Sequence, residues 1–480
     1  MIRINRRTFL QGAVGTAGAV ALGGPALAAS SKPSFRHLRP IPDERDGAVR
    51  LWLPEGFSYR SFHDTEDTVL LDDGTTLPGR HDGMGAFPGH NGNVILVRNH
   101  ELNNPGAPFG DPANAYDPMG QAGTTTIEVT PRGEVVNSYT SLNGLVMSCA
   151  GGHMPWGSWM ACEETVNGPD VGPDFTGVSN VPLQQPHGFI FDVPIDGVSD
   201  AQPVTRAGRF AHEAAVLDPR HGILYETEDD FQIPSGFFRY IPATDPVAAG
   251  RLDNNGRLQM LAVKGQPNAN LGAHQRRRAT YDVEWVEIDD PAPSFPYTPG
   301  QPAPTTNLDA ISYVARQGFA QGAAKFSRLE GAIYDGGTVY FTSTQGGGPA
   351  EETDNEPAGW GNGSGQVWAY DTNGERLQLL YESPGRSTLD LPDNITTSHR
   401  GTLVICEDNT QDNYVRGLTR GGQIFDIALN RVVSNTGAPR FEDEFAGATF
   451  SPDGGTLFVN IQASHGISFA IWGPWERIGV

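Results

Sequence analysis

The sequence predicts an all-β protein, a six-bladed β-propeller with insertions between its blades. Two observations carry this prediction: a strand pattern that occurs six times, and a shorter strand that precedes each copy. Turn-forming residues are abundant, with 60 Gly and 37 Pro among 480 residues, while 38% of the residues are hydrophobic. This balance is typical of a folded protein with many turns, because disordered low-complexity chains hold still more Gly and Pro.

The recurring strand begins at a glycine, continues through β-branched or aromatic residues and ends in polar ones, which is a strand signature. The glycines are Gly92, Gly157, Gly222, Gly337, Gly401 and Gly455, at separations of 65, 65, 115, 64 and 54 residues. Spacings somewhat above about 40–50 residues, with one hairpin per copy, indicate propeller blades that carry insertions. The longest gap predicts an insertion at about 250–310, which includes the Pro-rich stretch 289–307.

The shorter strand before each copy carries a cysteine or an acid at a recurring position. Counting back from the repeat glycines, this position holds Cys149, Glu213, Glu330 and Asp393, and Asp82 lies close to it in the first copy. In a propeller the innermost strand of each blade lines the central channel. Equivalent positions in successive blades are therefore expected to converge on the axis.

Acids also follow the recurring strands. They are Glu101, Glu163, Glu164, Glu226, Glu228, Asp229, Asp230, Glu407 and Asp408. Such clusters repel one another unless cations hold them, although single acids at strand ends are often only solvated. Carboxylates suit calcium, and a thiolate beside carboxylates suits iron or another transition metal. The sequence therefore predicts a metal site that includes Glu101, without a spacing that names the ion.

Two arginines accompany these acids. Arg328 lies two residues before Glu330, hence on the same side of a strand, and Arg416 follows Glu407 and Asp408 after a short loop. A guanidinium beside a metal cluster is suited to clamp a phosphate. The alternative for both arginines is an ion pair with the surplus carboxylates.

Charge and the N-terminus bear on the partners and the location. Lys and Arg number 33 against 56 Asp and Glu, so the formal net charge is −23. This balance argues against nucleic acid and against a polybasic contact with anionic lipid.

Arg6 and Arg7 precede an apolar stretch that ends in Ala26-Leu27-Ala28, which is typical of a twin-arginine signal.

The domain prediction follows: residues 1–28 are a signal peptide, and 29–480 form a single propeller domain. We expect export by the twin-arginine machinery to the periplasm or the medium, as a monomer with no stable membrane insertion. A membrane anchor is the alternative, but the apolar stretch is short and glycine-rich. Three cysteines remain after cleavage, so one must be unpaired and the chain is no disulfide scaffold.

Many stretches resemble the PhoX family of secreted bacterial alkaline phosphatases and its shorter relatives. Among them are Arg-Asn-His-Glu at 98–101, Cys-Ala-Gly-Gly at 149–152, Cys-Glu-Glu at 162–164, Thr-Glu-Asp at 227–229, Arg-Leu-Glu-Gly at 328–331 and Cys-Glu-Asp at 406–408. The matches run in order from about residue 80 to the C-terminus. Two departures, Met147-Ser148 and His153-Met154, lie beside the expected site. We expect them to affect substrate preference or metal content.

The resemblance implies a six-bladed propeller with Fe³⁺ and Ca²⁺ at the channel mouth and hydrolysis of phosphate monoesters. Cys149 resembles the iron-ligating thiolate, and Glu213 and Glu330 resemble metal-bridging carboxylates. Further implied ligands are Glu228, Asp229, Glu407 and Asp408. Arg328 and Arg416 resemble phosphate clamps, which together with the cations would offset the charge of the transferred group.

Two other functions remain open from the sequence. A calcium-dependent lactonase or phosphotriesterase propeller would hold calcium at the axis and need no thiolate. A non-catalytic binding propeller would use the same acids for structural calcium. Replacement of Cys149 separates the first from a phosphatase, and a phosphatase assay with and without chelator separates the second.

Overall fold

The structure is a computed structural model that describes residues 37–230, 232–350 and 360–480. The predicted signal peptide, residues 1–28, lies outside the described residues. Within the described ranges, no helix combines the length and the apolar character needed to cross a membrane. The architecture is all-β, as the sequence predicts.

The described part of the chain begins with strands that join sheets completed much later. These are β1 (Arg39–Pro42), β2 (Val49–Leu53) and β3 (Ser58–Phe62). A four-stranded antiparallel sheet follows, with strands β4 (His81–Pro88), β5 (Val94–His100), β6 (Ala122–Val129) and β7 (Val135–Leu145) in sequence order. The next sheet has three strands, β8 (Ser148–Met154), β9 (Ser158–Glu163) and β10 (Ile190–Pro194).

The largest sheet has nine strands and joins two blades edge to edge. Its first part comprises β11 (His212–Asp218), β12 (Ile223–Glu228), β13 (Phe237–Ile241), β14 (Arg257–Val263) and β15 (Thr280–Glu287). Its second part comprises β16 (Leu329–Asp335), β17 (Thr338–Ser343), β18 (Gln366–Asp371) and β19 (Arg376–Glu382). The two parts meet where β15 pairs with β19.

The last two sheets recruit the N-terminal strands. One contains β20 (Pro392–Thr397), β21 (Leu403–Glu407), β22 (Tyr414–Leu418) and β23 (Ile424–Asn430), to which β2 and β1 add at the outer edge. The other contains β24 (Glu444–Phe450), β25 (Thr456–Gln462) and β26 (Ile467–Trp472), followed by β3. Strands β1 to β3 therefore complete the two blades that are formed last along the chain.

Six inner strands surround the axis. They are β4, β8, β11, β16, β20 and β24; each contacts the next, and β24 contacts β4. The five hydrogen-bonded sheets thus supply six inner strands, because the nine-stranded sheet contains both β11 and β16. We number the blades one to six by these strands. The six glycine-led copies in the sequence become the second strands β5, β9, β12, β17, β21 and β25.

The core lies between adjacent blades. Phe237 of β13 stacks on Phe341 of β17 with ring centroids 4.4 Å apart, which packs blade three against blade four. Each blade has a neighbour on both faces, so the second strands are buried along most of their length, as expected for stacked sheets. β21, for example, is buried at every residue.

In the part of the chain that the structure describes, four short helices lie outside the blades: α1 (Pro246–Ala249), α2 (Asn307–Ile311), α3 (Tyr313–Ala320) and α4 (Trp475–Ile478). Single turns of 3₁₀ helix occur at His90–Gly92, Pro112–Asn114 and Thr205–Ala207. The segment expected to be an insertion, about 250–310, contains β14, β15 and the first residues of α2. Its assignment as an insertion in a single domain stays a prediction.

Candidate metal centre

Every inner strand carries a β-bulge at the same place. In each blade two residues of the inner strand face a single residue of the second strand. The first residues of these six pairs are Asp82, Cys149, Glu213, Glu330, Asp393 and Gly447, which we call the bulge ring. Bulges re-aim side chains and are common beside active sites. The position that recurs in the sequence is therefore the first residue of the bulge in each blade.

Hydrogen bonds between blades hold the bulges in register. Asn99 Nδ2 of blade one donates to the carbonyl of Ala150 in blade two at 2.7 Å. In the same way Thr342 Oγ1 donates to the Asp393 carbonyl at 2.7 Å, and Asn460 Nδ2 to the Asp82 carbonyl at 2.6 Å. Each bond ties a second strand to the bulge of the next blade. The ring geometry is therefore fixed by neighbouring blades as well as by each hairpin.

Three groups of side chains come close enough together to hold cations. They are Cys149 with Glu164 and Glu213; Glu164 with Asp229 and Glu330; and Glu213 with Glu330 and Asp393. Within each group the candidate ligand atoms lie within 4.8 Å of one another, and every member is buried. Any two groups share one carboxylate, from Glu164, Glu213 or Glu330. The three groups therefore adjoin one another, with one shared carboxylate between each pair.

Blade six contributes no side chain to this ring. Its bulge residue is Gly447, with a φ of +61°, in the left-handed region. A Cβ at this position would lie 2.3 Å from the main-chain oxygen of Asp82. Only glycine fits both the backbone conformation and the close approach of the neighbouring blade.

One guanidinium is embedded among the carboxylates. Arg328 Nε and Nη2 donate to the two oxygens of Asp229 at 3.0 and 2.8 Å, and Nη2 also donates to Glu330 Oε1 at 2.6 Å. Arg328 has a φ of +45°, unusual for a residue with a Cβ, and its side chain is buried. Such outliers persist where the surroundings over-determine them, often at functional sites.

Burial and neighbouring carboxylates favour the protonated forms of two candidate ligands. Burial raises the pKa of the Cys149 thiol well above its usual value, and the carboxylates of Glu213, Glu164 and Asp82 raise it further. Burial likewise raises the pKa of Glu330, assisted by Asp229 and Asp393 and opposed by Arg328. A bound cation reverses these shifts, because it favours the charged forms.

Hydrogen bonds to the neighbouring residue, Glu163, fix the position of Glu164. The preceding residue, Glu163, accepts hydrogen bonds from Val146 N and Gly188 N at 3.0 and 2.9 Å, and from His187 Nδ1 at 2.6 Å. His187 also lies 3.3 Å from Asp117 Oδ2 through Nε2. Burial acts to lower the pKa of His187, but the two carboxylates outweigh it and raise that pKa to about 9. The imidazolium therefore anchors the strand end that presents Glu164.

Comparison with known proteins decides the family. The sequence model described as Alkaline phosphatase PhoX matches residues 37–465. The chain belongs to the PhoX alkaline phosphatase family. Its members are metal-dependent phosphoric ester hydrolases, so the predicted family, enzyme class and activity are confirmed. A search of the curated proteins finds no match.

One of the similar solved structures is close enough to bear on the fold. PhoX of Pseudomonas fluorescens, in complex with vanadate as a transition state analogue, is 16% identical to this chain with a TM-score of 0.61, covering 92% of this chain and 98% of its own. A gluconolactonase of Xanthomonas campestris is 11% identical with a TM-score of 0.37, covering 94% of this chain and 99% of its own. The first likeness confirms the predicted propeller; the second is too low to bear on function.

Some of the ligands expected from the PhoX resemblance belong to the three groups, and others do not. Cys149, Glu213, Glu330 and Asp229 join the three groups, as the sequence leads one to expect. Glu228 and Glu407 are outside those groups among the described residues. Each is the last residue of a second strand, and successive side chains of a strand face opposite ways. The residue that follows Glu228 therefore faces the other way, and that residue, Asp229, is a group member.

Glu407 and Arg416 form a buried ion pair of their own. Arg416 Nε donates to Glu407 Oε1 at 2.9 Å, and Nη1 pairs with Asp426. Glu407 also accepts from Asp390 N and Tyr414 N at 3.0 and 3.1 Å. Burial raises the pKa of Glu407 to about 7 against the lowering effect of Arg416. Both side chains thus have protein partners, and neither belongs to the three groups found in the described residues.

The other expected ligands lie at the margin of the site. Glu101 accepts from Arg80 Nη1 at 3.2 Å and from Gln462, which also donates to Asp82 Oδ2 at 3.0 Å. Asp408 lies beside Glu444, whose pKa is raised by burial first and by Asp408 next. Glu228 accepts from Gly236 N at 2.7 Å, and its Oε1 is buried without a hydrogen-bond partner. None of these three residues is a member of the groups found in the described chain.

Two group members were not among the expected ligands. Asp393 occupies the recurring position of blade five, and Glu164 follows the last residue of β9. The repeat register points to Asp393. The alternation of side chains along β9 would select Glu164 as the ligand and not Glu163. This requires that the end of the strand be known to within one residue. Sequence patterns rarely give strand ends with that accuracy.

Proposed function

We propose that the bulge ring, with Glu164 and Asp229, holds iron and calcium ions and that the chain uses them to hydrolyse phosphate monoesters. The observation that carries the proposal is the convergence of one thiol and five carboxylates, from four blades, into three groups that share their carboxylates. Membership of the PhoX family supports it. A mononuclear or purely structural site would not need three shared positions.

The donor chemistry fits a mixed cluster. Cys149 with Glu164 and Glu213 provides a thiolate beside two carboxylates, a set suited to iron. The other two groups offer oxygen alone, which suits calcium. Glu330 Oε2 is buried without a hydrogen-bond partner, and such an atom is costly unless a ligand binds it. We therefore assign iron to the group of Cys149 and calcium to the other two.

The chain's own residues orient the reacting ester. When bound, the ions supply positive charge for the phosphate oxygens and for the oxygen of the departing alcohol. Arg328 is rigidly held by Asp229 and Glu330 at the edge of two groups, where its planar donors can take a phosphate oxygen. Its charge also offsets part of the surplus of carboxylates, which would otherwise repel a phosphate dianion.

For Arg416 we propose a structural role in place of the expected clamp. Its guanidinium pairs with Glu407 and Asp426, which belong to none of the three groups, whereas both partners of Arg328 are group members. Glu407 is also held by two main-chain amides. We likewise propose that Glu407 anchors β21 and does not bind a metal ion. Glu101, Asp408 and Glu228 stay secondary candidates for calcium outside the three groups.

The test combines metal analysis with an assay. The purified protein should contain iron and calcium and hydrolyse an aryl phosphate under alkaline conditions, and chelation should abolish the activity. Cys149→Ser should lose iron and activity together. Cys406→Ser is the matched control, since Cys406 is also fully buried but belongs to none of the three groups. If Cys149→Ser is fully active without iron, the interpretation as a calcium-dependent lactonase or phosphotriesterase is favoured. Lactones and phosphotriesters should then be assayed as substrates.

A non-catalytic propeller has a distinct signature. Chelation would then lower the unfolding temperature, yet no phosphate ester would be hydrolysed at any metal loading. Activity restored by adding back both ions, and by neither alone, would exclude that alternative.

We also propose export by the twin-arginine route, with removal of residues 1–28 and a monomeric mature protein. The support is the Arg6-Arg7 pair followed by the apolar stretch and the Ala-Leu-Ala end. Replacing both arginines by lysine should leave uncleaved protein inside the cell. A periplasmic or secreted mature form in that variant would contradict the route.

A further inference from the structure

A cavity adjoins the metal centre on the side of blades two and three. Its floor includes Glu164 and Asp229, both members of the second carboxylate group. The enclosed volume is small, about 20 Å³, and the cavity opens to solvent. An ester whose phosphate is bound at the metal centre would place its alcohol portion against this lining and along the opening.

The walls of the cavity come from two segments outside the blades. One is the loop after β9, which contributes Phe175; the other is α2, which contributes Ile311. The segments are joined by a hydrogen bond from Gly172 N to the Thr305 carbonyl at 2.9 Å. Phe175 packs against the buried apolar cluster that contains Met147, which also lines the cavity. The cavity thus has one apolar side, in which Met147 is buried and Phe175 and Ile311 are half-buried.

The polar lining is acidic. Besides the floor carboxylates it includes Asp174 and Asp230, and no lysine or arginine is present among the described lining residues. Asp230 Oδ1 accepts from Gln232 N at 2.8 Å and from Ile233 N at 3.1 Å. Its Oδ2 is buried without a hydrogen-bond partner, and the residue is 1% exposed. A buried unpaired acceptor beside an open cavity indicates a ligand that brings a donor.

We propose that this cavity binds the leaving alcohol of the phosphate ester and selects a compact apolar group that carries a hydrogen-bond donor, an ammonium or a hydroxyl. Phe175, Ile311 and Met147 contact the apolar body, and Asp230 Oδ2 accepts from the donor. Asp174 and Asp230 disfavour alcohols that carry a carboxylate or a further phosphate. This inference rests on the hydrolysis of phosphate monoesters at the adjoining metal centre.

The charge preference is tested with three esters of equal length: phosphoethanolamine, 2-hydroxyethyl phosphate and phosphoglycolate. Wild-type protein should have a kcat/KM for phosphoglycolate at least about tenfold below that for the other two. Asp230→Asn can still accept the two main-chain bonds through its side-chain oxygen, but it has no charge. It should narrow the ratio between phosphoethanolamine and phosphoglycolate several-fold, at unchanged metal content.

The apolar wall is tested with phenyl phosphate against methyl phosphate, whose leaving group is too small to reach it. Phe175→Ala and, separately, Ile311→Ala should lower the ratio of kcat/KM for phenyl over methyl phosphate about tenfold. The two residues lie on different segments, so a folding defect in one variant leaves the other informative. Val178→Ala is the control, because Val178 is exposed on the same loop and outside the lining.

The outcomes separate this inference from the proposed function. Failure of wild-type protein to hydrolyse methyl phosphate, with metals loaded, would contradict the monoesterase itself. Normal hydrolysis of methyl phosphate, with substrate ratios that neither the wall variants nor Asp230→Asn shifts, would overturn the leaving-group site alone. A preference for phosphoglycolate over phosphoethanolamine would overturn it as well.

Discussion

The hydroxyl of Thr227 connects the bulges of two neighbouring blades. It accepts a hydrogen bond from Ala214 N of its own blade at 3.0 Å and donates to the carbonyl of Glu330 in the next blade at 2.6 Å. Ala214 and Glu330 are both bulge residues, and Thr227 is the residue that faces the bulge of blade three. The relative placement of Glu213 and Glu330 therefore depends on one side chain that touches no candidate ligand atom.

Thr227→Val should destabilise the protein and loosen the centre. Valine keeps the volume of threonine but leaves the Ala214 amide and the Glu330 carbonyl short of a partner, at a cost of about 1–3 kcal/mol. Chemical unfolding should report this loss, and metal release to a competing chelator should become faster. Thr280→Val, at an exposed strand position, should change the unfolding free energy by no more than about 0.5 kcal/mol. Equal effects of the two variants would contradict the bridging role.

Gly447→Ala tests the crowding at the ring position of blade six. The new methyl group would approach the Asp82 carbonyl, and the φ of +61° is strained for alanine, so a loss of roughly 1–3 kcal/mol or more is expected. Gly437→Ala is a close control, because Gly437 has a φ of +84° but open space around it. The difference in unfolding free energy between the two variants isolates the contact with Asp82. If both cost the same, backbone strain alone accounts for the effect.

Arg416→Met should act on folding rather than on metal content. Removal of the guanidinium leaves Glu407 and Asp426 buried without their cation, which costs about 3–5 kcal/mol. Iron and calcium per folded molecule should remain those of the wild type. A variant of normal stability that has lost phosphate affinity would restore Arg416 to the role of clamp first expected from the sequence.

Stability should fall at alkaline pH because of His187. Its pKa is raised from 6.5 to about 9 in the folded protein by Glu163 and Asp117, against the effect of burial. A raised folded pKa contributes stability that is fully present below the unfolded pKa and is lost as the pH rises through the folded one. The contribution, on the order of 3 kcal/mol, should therefore disappear between about pH 6.5 and pH 10.

Unfolding free energies at pH 6 and pH 10 check this expectation. His187→Gln should be less stable at pH 6 and should lose less on going to pH 10 than the wild type. His90→Gln, at an exposed position, should follow the wild-type pH dependence. A parallel fall in wild type and His187→Gln would show that other groups cause the alkaline loss.

The sequence predicted the propeller because its repeat is carried by the second strands, whose apolar runs begin at a turn glycine. It also predicted the bulge ring, since Cys149, Glu213 and Glu330 share one position relative to that glycine. The bulges themselves leave no pattern in the sequence. They consist of one extra residue, and the residue types at these positions differ between blades.

The acids after the second strands show where sequence reasoning stops. Cys-Glu-Glu at 162–164 and Cys-Glu-Asp at 406–408 look alike, and in both the first acid turns away from the axis to a buried cation, His187 or Arg416. Both first acids also accept a main-chain amide three residues before the bulge, from Val146 and Asp390. These partners lie at other places in the sequence, and only the fold brings them to Glu163 and Glu407. The sequence alone therefore gives no reason to leave Glu407 out of the expected ligands.

Metal analysis of wild type and Cys149→Ser, on the same preparations used for the assay, tests the central claim most directly. The wild type should contain both iron and calcium and hydrolyse phosphate monoesters, while Cys149→Ser should retain calcium and lose iron and activity. Cys406→Ser should match the wild type in all three measurements. An active Cys149→Ser protein with unchanged iron, or an active wild type without iron, would contradict the assignment of the bulge ring as the metal centre of this phosphatase.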